Sequence, residues 1–306
     1  LGRTLLNALT STQMLSLSET QIAELPPTQW AALTSSQIGY LNSDVISSLT
    51  STNLSALTTT QIKGISSTAL SQLSATQMAA LKSTQLAALT RTQLTALSAT
   101  DVAELTTTEL AAMSSTMISS LSTTALQGLS ETLIASLSPS QIKGITSTQC
   151  GSLTETQLAA LTPTQIAALN ITTIQGLAST TVSALTETQI DALSPQQLAG
   201  LSAVAASKLT TTQIASLNAT QLSGLTPTHM SWLKSTAIAA LTPTQMSALS
   251  ARQIGSISTT ALSGLGASQM AQLSSTQLQG LTTTQVASLS STALSAVTAT
   301  QLGALS

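Results

Sequence analysis

The chain has 306 residues, but only 6% of them are charged, the net charge is −2, aromatic residues make up 1% and phenylalanine is absent. Eight basic residues spread over that length leave no electrostatic footprint for a run of phosphates, so nucleic acid is not expected as a partner. No membrane span is expected either, because Ser and Thr interrupt every apolar stretch well before the roughly 20 residues a span needs. The 42% hydrophobic content, built almost wholly from Leu, Ile, Met, Val and Ala, equally excludes a charge-extended disordered chain.

Written in rows of eight from Leu1, the sequence keeps one register to its last residues. The first position of every row is apolar, nearly always Leu, with a few Ile, Met113 and Val297 as exceptions. The sixth is apolar as well, as in Met14, Ile22, Trp30, Ile38 and Leu54, with Cys150 and Ala206 its weakest members. The consensus is Leu-[Ser/Thr]-x-Thr-Gln-[Ile/Leu/Met]-[Ala/Ser]-[Ala/Ser/Gly]. An unbroken helix cannot carry this pattern. Eight residues advance the helix by about 800°, so the apolar stripe would drift by roughly 80° per row. Any helix must therefore break once per octad.

Taken along the chain, the rows mark where each helix starts and stops. Thr10-Ser11-Thr12-Gln13 is a capping-box pattern, in which a hydroxyl and an amide three residues apart satisfy each other's backbone donors. Glu19 opens the next row at position three, the first helical turn, where the helix dipole favours negative charge; Glu131, Glu155 and Glu187 repeat it. Pro27 takes that slot in the following row, as do Pro139, Pro163, Pro195, Pro227 and Pro243; a missing N–H costs nothing there. Lys63, Lys143 and Lys208 lie at positions seven or eight. Gly64, Gly128, Gly144, Gly176, Gly200, Gly224, Gly264 and Gly280 occupy position eight, where a short helix would end. Positions six and one of the next row are three apart and share a helix face.

The expected fold is therefore all-α: a solenoid with one helix of one and a half to two turns per octad, each followed by a sharp bend. It should run as a single continuous unit over 1–306. Positions one and six would line a common aliphatic interior, and small residues at seven and eight would let turns approach. A β-solenoid is the alternative, since Thr at positions two and four suits strands. Against it, positions one and six have opposite parity, and repeated Pro would remove ladder donors.

No catalytic, cofactor-binding or metal site is expected. His229 is the only histidine and stands where Gln is usual, which reads as a surface substitution. Cys150, at the sixth position, reads as a small core hydrophobe and as incapable of an intramolecular disulfide, being the sole cysteine. Trp30 is expected in the core and Trp232 on the surface. Asp44, Asp101 and Asp191 are isolated, with no calcium loop around them. The sequons at Asn53, Asn170 and Asn218 are expected as chance matches in so Ser/Thr-rich a chain.

Rows such as Leu161-Thr162-Pro163-Thr164-Gln165-Ile166-Ala167-Ala168 and Leu81-Lys82-Ser83-Thr84-Gln85-Leu86-Ala87-Ala88 resemble the octapeptide arrays of very large bacterial secreted or cell-surface proteins. The resemblance covers the whole chain and implies a bacterial surface stalk, adhesin or matrix filament; the residues themselves lead to the expectation of a non-enzymatic filament, stalk or spacer outside the cell or at its surface. Ice binding or other surface recognition through Thr-x-Thr rows, and peptide binding by an α-solenoid scaffold, are the alternatives. The opening Leu1-Gly2-Arg3-Thr4 reads as an excerpt or processed product. Both ends stay in register without a polar capping unit, so self-association or end-to-end continuation is expected, with other surface or matrix components as further partners.

Overall fold

The computed structural model describes residues 3–303. Among them the rows form 37 α-helices of four to six residues and one 3₁₀ turn, with no strand among the described residues. The β-solenoid alternative therefore falls. The six-residue helices, of just over one and a half turns, have the expected length; the four- and five-residue ones fall short of it because the bend takes up more of the octad than a single residue.

Pro163–Ala168 illustrates a row. Thr162 is extended (φ −69, ψ 156), and its Oγ1 accepts from Gln165 N–H at 3.3 Å. The Gln165 Oε1 accepts from Thr162 N–H at 2.7 Å, and Pro163 takes the first helical position. At the other end, Leu169 N–H donates back to the Ile166 carbonyl at 3.2 Å and its own ψ swings to 132. Leu at position one and the hydroxyl residue at position two are thus both extended, and together they make the bend.

One row departs from this. Ala178-Ser179-Thr180-Thr181-Val182 lacks a hydroxyl at position two and puts three β-branched residues in succession. The row tightens to the 3₁₀ turn Val182–Ala184, in keeping with a missing cap and χ1-restricted side chains that crowd a helix.

The described helices belong to two compact units, Leu1–Ile145 and Thr146–Ser306. In each unit a helix packs on the one three rows further along, as Ser35–Tyr40 does on Thr59–Ile62 and Ala203–Ala206 on Pro227–Trp232. That regular neighbour relation makes each unit a helical repeat solenoid. The sixth position is buried without interruption from Leu6 to Leu278, and the first position from Leu33 to Leu273. Within each unit the expected pairing of these two positions in an aliphatic interior holds.

Glycine at position eight has a different cause from the helix-ending role expected of it. No described glycine has positive φ. A Cβ on Gly64 would instead collide with the Ser35 backbone, and one on Gly39 would lie 2.9 Å from the Gly64 carbonyl oxygen. The pairs Gly151/Gly176 and Gly255/Gly280 repeat this contact in the second unit. Absent side chains here allow backbone to touch backbone between turns.

Candidate functional site

The feature that organises the molecule is the side chain at position five. Its Oε1 closes the capping box of its own row, which leaves the amide Nε2 to donate elsewhere. In the first unit, Gln61 Nε2 donates to the carbonyls of Trp30 at 2.7 Å and Leu33 at 2.8 Å. Gln85 does the same to Leu54 and Leu57 (2.8 and 2.7 Å), and Gln93 to Ile62 and Ile65 (2.7 and 2.8 Å). In the second unit, Gln189 reaches Leu158 and Leu161, and Gln253 reaches Leu222 and Leu225. In each of these pairs the partners lie 31 and 28 residues earlier, so a turn of the coil takes between three and four octads.

These carbonyls need the amide. The position-one residue is extended, so its C=O has no partner in its own helix, and burial takes it away from water. An unpartnered buried carbonyl costs about 1–3 kcal/mol. One Gln therefore stitches two turns, cap on one side and ladder on the other. Reasoning row by row misses this ladder, although the sequence carries a signal for it. A capping box accepts Glu as readily as Gln, yet Glu, common at position three, stands at position five only as Glu109. That bias marks a position that must donate.

The same geometry corrects the reading of His229. It is 3% exposed, not a surface residue. Its Nε2 lies 2.8 Å from the Leu201 carbonyl and its Nδ1 3.3 Å from the Thr226 nitrogen. A carbonyl only accepts and an amide N–H only donates, which fixes the neutral tautomer with the proton on Nε2. The imidazole imitates Gln at both ends, and burial lowers its pKa from the usual value while the Leu201 bond opposes this. From Gln37 onward the Gln residues at position five whose burial is given are likewise buried, unlike the expected Ser/Thr/Gln exterior; the described exposed positions belong mainly to Ser, Thr and Ala.

Cys150 is 1% exposed, and burial pushes its thiol up to about 12. Trp30 is fully buried and Trp232 is 54% exposed, as expected. Asn53 is buried, while Asn170 and Asn218 are N-caps whose Oδ1 atoms accept from Thr173 and Gln221 N–H at 2.8 and 2.9 Å. The sequons at 170 and 218 thus coincide with helix starts. Asp44 and Asp191 are exposed; Asp101 is buried and accepts from Ser98 N–H. Among the described residues no three His, Cys, Asp or Glu side chains gather around a common point, and no helix is long and apolar enough to cross a membrane.

The surface carries open grooves between turns. One, about 570 Å³, is lined by Pro195, Gly224, Pro227 and Arg252 among others. Two smaller notches repeat one design in the two units, Ser35/Gly39/Gly64 and Ser147/Gly151/Gly176. Their floors are the glycine contacts described above. No protein-family model matches the chain, and no curated protein matches it.

Proposed function

We propose that this chain is a structural, non-enzymatic repeat protein, a filament, stalk or spacer segment that works outside the cell or at its surface. The supporting observation is the ladder. Wherever position five is Gln, turns are joined through the same two carbonyls and the same aliphatic pair, so length can be added by repetition without a new interface. Reach is then a matter of row count, and the monotony of the exposed Ser, Thr and Ala suits a surface that selects no particular ligand. The resemblance to bacterial octapeptide arrays supports the extracellular setting.

Self-association fits the same reading. Gln13 and Gln21 are exposed, and each closes its own capping box. At the opposite end of the described residues Leu294 and Leu302 are exposed, the latter by 53%. The interface between turns is made of Gln amides, backbone carbonyls and an aliphatic pair, groups that a second copy of the chain also carries.

The ice-binding alternative loses support from the caps. Hydroxyls at position two accept from backbone N–H, as Thr58 does from Gln61 at 3.2 Å, and are engaged in the fold rather than free for a lattice. Electron microscopy of the purified chain, with sedimentation over a concentration series, tests the proposal. Slender particles that lengthen with concentration are expected. Compact particles of fixed size would overturn it.

A further inference from the structure

The ladder has one long interruption, and its length relative to a turn of the coil is what matters. Position five carries Asp101, Glu109, Met117, Ala125 and Leu133 in five consecutive rows. The ladder is intact before it, at Gln93 on Ile62 and Ile65, and after it, at Gln141 on Leu110 and Met113 (2.6 and 2.9 Å). Elsewhere in the sequence no more than two consecutive rows lack Gln, as at Val45/Asn53 and Thr173/Thr181. Because ladder bonds span 28 to 31 residues, a two-row gap leaves the rest of its turn stitched. Five rows exceed a full turn. Around one complete circuit of the first unit, no position-five amide joins one turn to the next.

The substitutes cannot replace the donor. Asp101 and Glu109 retain the cap, accepting from Ser98 and Thr106 N–H at 2.7 Å, but a carboxylate has no hydrogen to give Leu73 or Leu81. Met117, Ala125 and Leu133 have neither function. What closes the seam is packing: Val102, Leu110, Ile118, Leu126 and Ile134 are all buried, and Gly128 lets its helix close onto Ala99. Thr95 Oγ1 adds a side-chain bond across it, to the Ser120 carbonyl at 3.1 Å.

We infer that the turn-to-turn seam between residues 70–105 and 101–133 is a built-in opening point, where the coil parts before any laddered turn does. The seam separates two blocks that stay stitched, so its opening lengthens the unit without unravelling the rest. The inference stands on the ladder geometry alone and holds whether or not the chain is a spacer.

Native-state hydrogen exchange on the full chain tests it. Amides of residues 98–137 are expected to exchange at least about tenfold faster than those of residues 57–64, a row laddered on both sides through Gln61, Leu57 and Ile62, since each missing pair of bonds is worth that much or more. The double variant D101Q/E109Q restores two rungs, and protection around residues 98–112 should rise about tenfold while the laddered rows stay unchanged. Both substitutions move toward the consensus, so loss of folding does not cloud the result. Equal protection of residues 57–64 and 98–137, or a seam that does not respond to D101Q/E109Q, overturns the inference.

Discussion

The Nε2 of Gln61 donates to the carbonyl of Trp30, 31 residues earlier, at 2.7 Å. The same side chain accepts from Thr58 N–H at 2.8 Å through Oε1, so one residue ends the bend of its own row and fastens the preceding turn. These two tasks separate by mutation. Gln61→Glu keeps the acceptor and loses the donor, leaving the buried Leu33 carbonyl facing a carboxylate. A loss of about 2–4 kcal/mol in local stability is expected, read by urea unfolding or by exchange of the Leu33 and Ile65 amides. Protonation returns an O–H donor, so the deficit relative to the parent chain should shrink at pH 4. A neutral substitution, or a deficit that ignores pH, would contradict the double role.

The close approach of turns makes a second prediction. Gly64 has no room for a methyl group against the Ser35 backbone, whereas Gly303 has nothing within 4 Å of the same position. Gly64→Ala should destabilise by about 1–3 kcal/mol through overpacking. Gly303→Ala should be neutral or slightly stabilising, because Ala is the better helix former. Thermal melts of the two variants side by side check this, and the order of their midpoints decides it.

Much of the fold is legible because each octad repeats its own punctuation. Thr10 and Gln13, Pro163 and the glycines at position eight locate the helix starts and bends, and the phase of Leu1 and Leu6 locates the interior. What is not legible within a row are relations between rows. Periodicity along one row says nothing about which carbonyl lies opposite Gln61, so the ladder and the burial of His229 escape it. Gly39 and Gly64, 25 residues apart, show that a signal is present all the same: glycine at position seven recurs at 151 and 255, each followed 25 residues later by glycine at 176 and 280. Such offsets report the residues per turn, and they are read only when rows are compared with rows three further on.

Cys150 offers a probe of opening. With the thiol pushed up to about 12 by burial, almost no thiolate exists at pH 8. Labelling by a thiol reagent in native buffer should therefore be slower than in urea by orders of magnitude, and limited by local opening of the turn. Labelling as fast as that of a free thiol would mean that Cys150 is not in the interior.

His229 gives the pH dependence its sign. Its folded pKa lies below the usual 6.5 because burial disfavours the imidazolium. The neutral form satisfies both partners, Leu201 accepting from Nε2 and Thr226 donating to Nδ1. A second proton on Nδ1 would face the Thr226 N–H and break the cap. Below the unfolded pKa the unfolded chain binds more protons than the folded one, so the stabilisation is complete above about pH 6.5 and drains away as pH falls through the lower folded value. Exchange of the amides of residues 226–233 should accordingly quicken between pH 7 and pH 5, after correction for intrinsic rates, by more than in rows that carry Gln. His229→Gln supplies an amide that accepts and donates at the same places without titrating. It should fold normally and abolish the extra pH dependence, and an NMR titration of the parent imidazole should give a midpoint below about 6.5. A midpoint above that value, or an acid sensitivity that survives His229→Gln, would show that the imidazole is not holding the turns together.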